Sequence, residues 1–181
     1  MKRAVASIAI FLIEALLGTV HAQKLLTVED IYGTGKFTPR ILRGLQWAPG
    51  GEGFSYFESE PASGERTIWF HEVKTGKRRE IASSARLGIL GEERAEKRFS
   101  IGNYLWSPSG RELLIPYGND LYLYVLKTGE IRRLTQDEKE ERDPVFSPDG
   151  SGIAYIKDDN LHALDLKTGE ENRLTWNGSK D

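Results

Sequence analysis

The hydrophobic pattern of the chain repeats itself in three stretches, each of which contains runs of alternating apolar and polar positions. In the most regular stretch, Leu113 and Ile115 are followed by the run 121–130, whose Thr128-Gly129 pair predicts a hairpin turn. A period of two is typical of β-strands that bury one face. The same pattern is found at two further pairs of positions: Phe54 and Tyr56, and Ile153 and Tyr155. Each stretch is therefore predicted to fold as four short antiparallel strands.

Three sequence landmarks recur at a constant spacing of 40 residues. Residues 106–110 (Trp-Ser-Pro-Ser-Gly) return as 146–150 (Phe-Ser-Pro-Asp-Gly), 127–130 as 167–170, and 133–135 (Arg-Leu-Thr) as 173–175. A less regular copy begins at residue 45. Four-stranded units of about 40 residues are typical of β-propeller blades. The predicted fold class is therefore all-β, a partial β-propeller of about three four-stranded blades. Blade 1 is predicted at 45–82, blade 2 at 101–135 and blade 3 at 136–175, and 176–181 is predicted to be the truncated start of the next segment.

Aligning the three copies assigns a structural role to each shared position. The aromatic side chains of Trp47, Trp106 and Phe146 are predicted to anchor the first strand of each blade. The Pro and Gly residues that follow are predicted to reverse the chain, because Pro presets φ and Gly tolerates positive φ. The last strands are predicted to end at three equivalent apolar residues: Ile81, Leu134 and Leu174.

Blade 1 and the segment after it are longer than the other copies. A six-residue excess falls at 59–65 in blade 1, in a sequence typical of loops. A thirteen-residue excess falls within the inter-blade insertion 83–100, where 91–98 is predicted to form a turn of exposed helix.

The N-terminal segment is predicted to be a secretory signal peptide, 1–22. Met1-Lys2-Arg3 is positive, an apolar run extends to Val20, and Val20-His21-Ala22 fits a cleavage site before Gln23. Residues 23–44 are a predicted lead-in segment. The sequence contains no cysteine, and export without disulfides is typical of a bacterial envelope protein. The mature protein is therefore expected to be periplasmic or extracellular, with no membrane contact beyond the signal peptide.

The composition and the motifs offer no candidate catalytic, cofactor-binding, substrate-binding or metal-ligating residue. The 25 basic and 27 acidic residues give a formal charge of −2, which provides no electrostatic reason to expect nucleic acid as a partner. No serine elbow, phosphate loop or zinc helix is present. His71 and His162 occupy aromatic positions of the repeat and are interpreted as packing residues, and His21 belongs to the signal peptide.

The remaining polar candidates are interpreted as surface features. The acidic run 137–143 mixes carboxylates with Lys139 and Arg142, so it is predicted to be a solvated loop between blades rather than a calcium site. Residues 158–160 (Asp-Asp-Asn) are predicted to form a turn. Glu92 and Glu93 lack aromatic neighbours and carry no site prediction.

Several longer stretches resemble bacterial dipeptidyl peptidase IV-like serine peptidases of the prolyl oligopeptidase family. Residues 26–32 (Leu-Thr-Val-Glu-Asp-Ile-Tyr) and 44–47 (Gly-Leu-Gln-Trp) look like the N-terminal entry of these enzymes. Residues 160–162 and 173–181 resemble the stretch just before their substrate-clamping segment, and 101–104 matches as well. The resemblance covers essentially all of 25–181. The Ser-Pro-Asp-Gly blades alone are similar to many envelope propellers, including the TolB type.

The resemblance implies an eight-bladed propeller that caps an α/β-hydrolase domain and gates peptide substrates by their N-terminus. The family binds the free amino group with a glutamate pair in Asp-Trp-Val-Tyr-Glu-Glu and carries its serine in Gly-Trp-Ser-Tyr-Gly-Gly. Neither motif occurs in this sequence, so this chain is predicted to be inactive alone. Its expected partners are the peptide substrate of the full enzyme, C-terminal blades, the hydrolase domain and, if the parent enzyme is a homodimer, a second subunit.

Two alternatives stay open at the level of sequence. A TolB-like, non-catalytic envelope propeller would bind a protein partner and contain further blades without a hydrolase. A truncated piece would have no independent function, since three blades do not close a ring and the next aromatic position would fall beyond Asp181.

Overall fold

The computed structural model describes residues 27–28, 42–60, 62–88 and 100–179, and all of its strands lie in one compact unit, Leu42–Asp181. The predicted signal peptide, nearly all of the lead-in segment and the predicted helix at 91–98 lie outside these residues. Within the described residues, no helix has the length and apolar character needed to cross a membrane.

The strands form three antiparallel sheets of four strands, and each sheet follows the chain order. Sheet 1 contains β1 (Arg43–Trp47), β2 (Gly53–Ser59), β3 (Arg66–Glu72) and β4 (Arg78–Ser83), and the short helix α1 (Ser84–Gly88) follows it. Sheet 2 contains β5 (Leu105–Trp106), β6 (Glu112–Tyr117), β7 (Asp120–Val125) and β8 (Ile131–Arg133). Sheet 3 contains β9 (Glu141–Phe146), β10 (Gly152–Lys157), β11 (Asn160–Asp165) and β12 (Glu171–Arg173). The all-β, partial-propeller prediction is confirmed.

The ends of the last strands differ slightly from the predicted ones. β4 continues to Ser83, while β8 and β12 end one residue earlier than predicted. The ladder nevertheless continues past both strands, because the Leu134 amide donates to the Leu121 carbonyl (2.8 Å) and the Leu174 amide to the Leu161 carbonyl (2.7 Å).

The alternation of side chains along β6 places the core on both faces of sheet 2. Leu113 and Ile115 join the cluster shared with sheet 1, whereas Leu114 joins the cluster shared with sheet 3. All three are fully buried. Because successive strand residues point to opposite faces, this pattern requires the three sheets to stack in the order of the sequence.

Two of the three first-strand aromatics, Trp106 and Phe146, connect neighbouring sheets. Trp47 does not, and its exposure corrects the prediction that it anchors blade 1. The Trp106 ring lies edge-on to Phe70 of sheet 1 at 6.2 Å, and Phe146 packs against the cluster that contains Leu114 of sheet 2. Trp47 contacts Phe54 of its own sheet but is 65% exposed. No sheet precedes sheet 1 among the described residues, so the aromatic position of blade 1 has nothing comparable to pack against there.

The turns after the first strands also stack on one another. Gly110 and Gly150 have φ values of 70° and 74°, as the turn prediction requires. A Cβ at Gly150 would lie 3.4 Å from Pro108 Cδ, and one at Gly110 would lie 3.8 Å from Pro49 Cβ. The Pro and Gly positions of the repeat therefore also form contacts between neighbouring turns.

Candidate functional site

The junction of sheets 2 and 3 contains the main concentration of buried polar side chains in the described part of the chain. It is formed at one end of the strands by the β6–β7 hairpin, the β10–β11 hairpin and the connection 134–140. The buried polar residues at this junction are Asp120, Thr135, Glu141, Asn160 and His162. Buried polar groups need hydrogen-bond partners, so the partners of these side chains define what the junction can do.

The Arg-Leu-Thr landmark of the repeat builds the sheet 2 side of the junction. Thr135 Oγ1 accepts a hydrogen bond from the Leu121 amide at the start of β7 (2.9 Å), and Arg133 Nε donates to the Thr135 carbonyl (3.0 Å). Thr175 and Arg173 repeat both contacts in sheet 3, with the Leu161 amide as the donor to Thr175 Oγ1 (2.9 Å). The motif therefore terminates the last strand and caps the third strand of the same blade.

Two carboxyl groups meet beside this motif. Asp120 Oδ2 accepts from Arg133 (2.6 Å), and Glu141 Oε2 accepts from the Thr135 hydroxyl (2.9 Å). The Glu141 amide donates to the carbonyl of Asn119, the residue before Asp120 (3.3 Å). Within the described part of the chain, the other carboxyl oxygens, Asp120 Oδ1 and Glu141 Oε1, are buried without a hydrogen-bond partner.

An ionic cluster occupies the sheet 3 side of the junction. Lys157 Nζ pairs with Asp137 (3.0 Å) and with Glu171. His162 Nδ1 lies 2.6 Å from the Glu171 carboxylate, and the imidazole stacks on Tyr155 with ring centroids 5.8 Å apart. This cluster joins β10, β11 and β12 to the connection that precedes β9.

The electrostatic environment differs across the junction. Burial raises the pKa of Glu141 to about 7, and the nearby Asp137 and Asp120 carboxylates add to the shift against the lowering effect of Thr135. Burial opposes ionisation of Glu171 and Asp137 as well, but the Lys157 ammonium outweighs it and lowers the pKa of both. Burial also raises the pKa of Tyr155, and Glu171 raises it further. The Glu141 carboxyl is therefore placed to take up and release a proton near neutral pH.

Glu141 corrects the prediction that the acidic run 137–143 is a solvated loop. Its side chain is 5% exposed and lies at the start of β9, while Arg142 and Asp143 are exposed. The local composition of the run could not distinguish Glu141 from its neighbours. A usable signal was its fixed distance from Thr135, the landmark whose hydroxyl it binds.

His71 and His162 pack as aromatic groups in the structure, and each has contacts that the sequence did not predict. His162 stacks on Tyr155 as its repeat position suggested, but its pairing with Glu171 was missed. His71 stacks on Phe54 at 5.1 Å on the other side of the molecule, in sheet 1. The structure does not bring the two histidines together.

The other predicted surface features divide between described and undescribed residues. Asp158 and Asp159 form the β10–β11 turn, with φ values of 51° and 60°, and pair with Lys139 and Arg142. His21, Glu92 and Glu93 lie outside the described residues. Among the described residues, no group of three or more His, Cys, Asp or Glu side chains is placed to hold a metal ion.

A comparison with protein families identifies the sequence of sheets 2 and 3. Residues 107–181 match the family model of the dipeptidyl peptidase IV (DPP IV) N-terminal region. The recognition of a dipeptidyl peptidase IV-like N-terminal propeller is thereby confirmed.

Individual relatives agree with this assignment. The chain is 32% identical to the uncharacterized peptidase YuxL of Bacillus subtilis (strain 168) over an alignment of 140 residues. This alignment covers 72% of this chain and 19% of the relative. Dipeptidyl peptidase 4 of Porphyromonas gingivalis is similar in structure, with a TM-score of 0.60 and 23% identity over 86% of this chain and 22% of that protein. TolB of Acinetobacter baumannii shares the fold with a TM-score of 0.54 and 24% identity over 77% of this chain and 33% of TolB. The chain thus spans about a fifth of the length of the peptidase relatives.

Proposed function

We propose that this chain is the N-terminal propeller portion of an exported serine exopeptidase of the dipeptidyl peptidase IV type. In the whole enzyme it gates access to the active site and positions the N-terminus of peptide substrates, while the catalytic residues lie in another domain. The observation that carries this proposal is the family match over residues 107–181, which contain all four strands of sheet 3 and three of the four strands of sheet 2.

The stacking of the sheets supports a gating role. Sheet 2 is buried on both faces and the turns of successive sheets contact one another, so sheets 1 to 3 form a packed wall instead of separate hairpins. Peptide gating requires such a wall, since substrates are selected by what can pass it and reach the catalytic domain. The junction of sheets 2 and 3 strengthens the wall with charged and hydrogen-bonded contacts.

The first experiment extends the coding sequence and assays the encoded protein. A downstream glutamate pair and serine elbow are expected, together with release of Ala-Pro or Gly-Pro from chromogenic dipeptide substrates by the longer protein. The 181-residue chain should release nothing. A downstream sequence that lacks both motifs would contradict the proposal.

Gating is tested separately in the longer enzyme. Substitutions that loosen the wall, such as Leu114→Ala, should change kcat/KM for long peptides more than for dipeptide chromogens, because only the longer substrates must be selected by size. Lys127→Ala, on an exposed turn, is the matched control. Equal effects on both substrate classes would contradict gating. Export predicts a mature N-terminus at Gln23, which mass spectrometry of the protein purified from its native envelope would detect.

A TolB-like binding propeller is the second candidate, and the structural likeness to TolB supports its fold alone. It predicts further blades without a hydrolase domain, and a stable protein partner recovered from envelope extracts. The downstream sequence therefore separates the two functions directly.

A further inference from the structure

Two buried carboxyl oxygens without donors lie at the junction of sheets 2 and 3. Asp120 and Glu141 are 2% and 5% exposed, and each uses one oxygen in a hydrogen bond while the other has no partner in the described residues. The backbone hydrogen bond from the Glu141 amide to the Asn119 carbonyl keeps Glu141 close to Asp120, the residue after Asn119. A buried acceptor without a donor is unfavourable, and an ionised one is much more so.

The charged groups that face Glu141 compensate a charge on it only in part. Sheet 2 contributes Asp120, whose partner is Arg133, and the connection contributes Asp137. Sheet 3 contributes Lys157, which is already shared between Asp137 and Glu171. Four carboxyl groups thus share two permanent cations at this junction, with Tyr155 and His162 beside them: Asp120, Asp137, Glu141 and Glu171 against Arg133 and Lys157.

We propose that the protonation state of Glu141 controls whether the junction between sheets 2 and 3 is closed or open. With a neutral side chain, Glu141 keeps the junction closed, since the Thr135 contact and the β9 pairing are then made without a buried uncompensated charge. When Glu141 ionises, the new carboxylate lies beside Asp120 and Asp137, and the junction opens. The inference concerns a property of the described fold and does not depend on the peptidase function proposed above.

The direction of the pH effect follows from the folded and unfolded states. The pKa of Glu141 is raised from 4.5 to about 7 in the fold, so the folded state binds more protons between these values and stability falls as pH rises through that range. The pKa values of Asp137 and Glu171 are lowered, so their contributions are already complete above pH ~5 and do not change further. The window from pH 5 to pH 8 therefore isolates Glu141 from these carboxylates.

The test measures urea unfolding of the full 181-residue chain at several pH values by intrinsic fluorescence. The folding equilibrium constant of the unmodified chain should fall roughly 50- to 100-fold between pH 5 and pH 8, and Glu141→Gln should remove most of this fall. Glu140→Gln is the matched control, since it removes the same charge one residue away at an exposed position, and it should keep the full pH dependence.

A second measurement shows where in the fold the opening occurs. It uses the unmodified chain, so it remains informative if Glu141→Gln folds poorly. Hydrogen exchange at the Leu121 and Glu141 amides, normalised to amides of sheet 1 at the same pH, should accelerate at pH 8 relative to pH 5 in the unmodified chain. Unchanged relative exchange would overturn the proposal. So would a pH dependence that survives in Glu141→Gln but disappears in His162→Gln, because the titrating group would then be the histidine.

Discussion

Ser55 illustrates how a single small residue connects two sheets. Its side chain is fully buried in β2, and its hydroxyl lies 2.7 Å from the Tyr104 hydroxyl and accepts from Trp106 Nε1 (2.8 Å). Tyr104 also donates to the Gly44 carbonyl (2.8 Å), and burial raises its pKa to about 12 despite the Ser55 hydrogen bond. Both aromatic partners enter from the next stretch of chain, so the hydroxyl anchors sheet 2 on sheet 1.

Substitution Ser55→Ala should therefore destabilise the fold by about 1–3 kcal/mol, because it leaves the buried Trp106 N–H without its acceptor. The measurement is the free energy of unfolding in urea. Ser63→Ala, in an exposed turn, serves as the control and should change stability by less than about 0.5 kcal/mol. Equal effects of the two substitutions would show that the Ser55 contacts do not hold the sheets together.

At the scale of the element, the Arg-Leu-Thr motif explains why a short sequence is repeated at the end of two blades. In each copy the threonine hydroxyl accepts from the amide of the second residue of the third strand in the same blade, and the arginine donates to the threonine carbonyl. The copy in sheet 2 has an additional role, since Thr135 also donates to Glu141 of sheet 3. The Arg-Leu-Thr motif therefore acts within its own blade in both copies, and the copy in sheet 2 also connects two blades.

The two threonines provide a paired prediction. Thr135→Val should cost about 2–3 kcal/mol, because it removes both the cap and the donor to the buried Glu141 carboxyl. Thr175→Val removes a cap at a more exposed position and should cost only about 0.5–1.5 kcal/mol. Unfolding free energies at pH 5, where Glu141 is neutral, provide the comparison, and a larger cost at Thr175 would contradict the double role of Thr135.

For the whole molecule, the decisive feature is that the stack ends in two sheet faces that carry exposed apolar side chains. The outer face of sheet 1 includes Trp47 (65% exposed) and the partly buried Phe54, and the outer face of sheet 3 includes Val145 and Leu161 (53% and 39% exposed). Apolar faces of this kind mark surfaces that associate with other protein surfaces. Repeat folds bury such faces only against neighbouring repeats.

The polypeptide 23–181 alone is therefore expected to be aggregation-prone, self-associating as its concentration rises above the dilute range used for unfolding measurements. The double substitution Trp47→Ser and Leu161→Ser should reduce light scattering and dye binding to apolar surface, since it removes one large side chain from each face. Val73→Ser, in an exposed turn, is the control. A chain that stays a monodisperse monomer at every concentration tested would contradict this expectation.

The period-two patterns, the turn residues and the 40-residue spacing were sufficient to predict three four-stranded blades, and they located the Pro-Gly turns after the first strands and the Thr-Gly turns after the third strands. The reason is physical: strand alternation and turn conformation depend mainly on the side chains and backbone of neighbouring residues. His162 was likewise correctly interpreted as a packed ring, since a repeat position carries information about its surroundings. The resemblance quoted for residues 160–162 and 173–181 falls within the stretch that matches the family.

Only the tertiary structure decided which residues the stack of sheets buries. Trp47 and Trp106 occupy the same repeat position, yet Trp106 packs on sheet 1 and Trp47 is exposed, because burial depends on whether another sheet lies opposite. Glu141 looked like one more charge in a mixed run, yet packing of sheet 3 on sheet 2 removes it from solvent and raises its pKa. The sequence by itself determined the blades, through interactions between residues close in the chain. The junctions between blades, and the chemistry of Glu141, were decided by contacts that exist only once the sheets have packed.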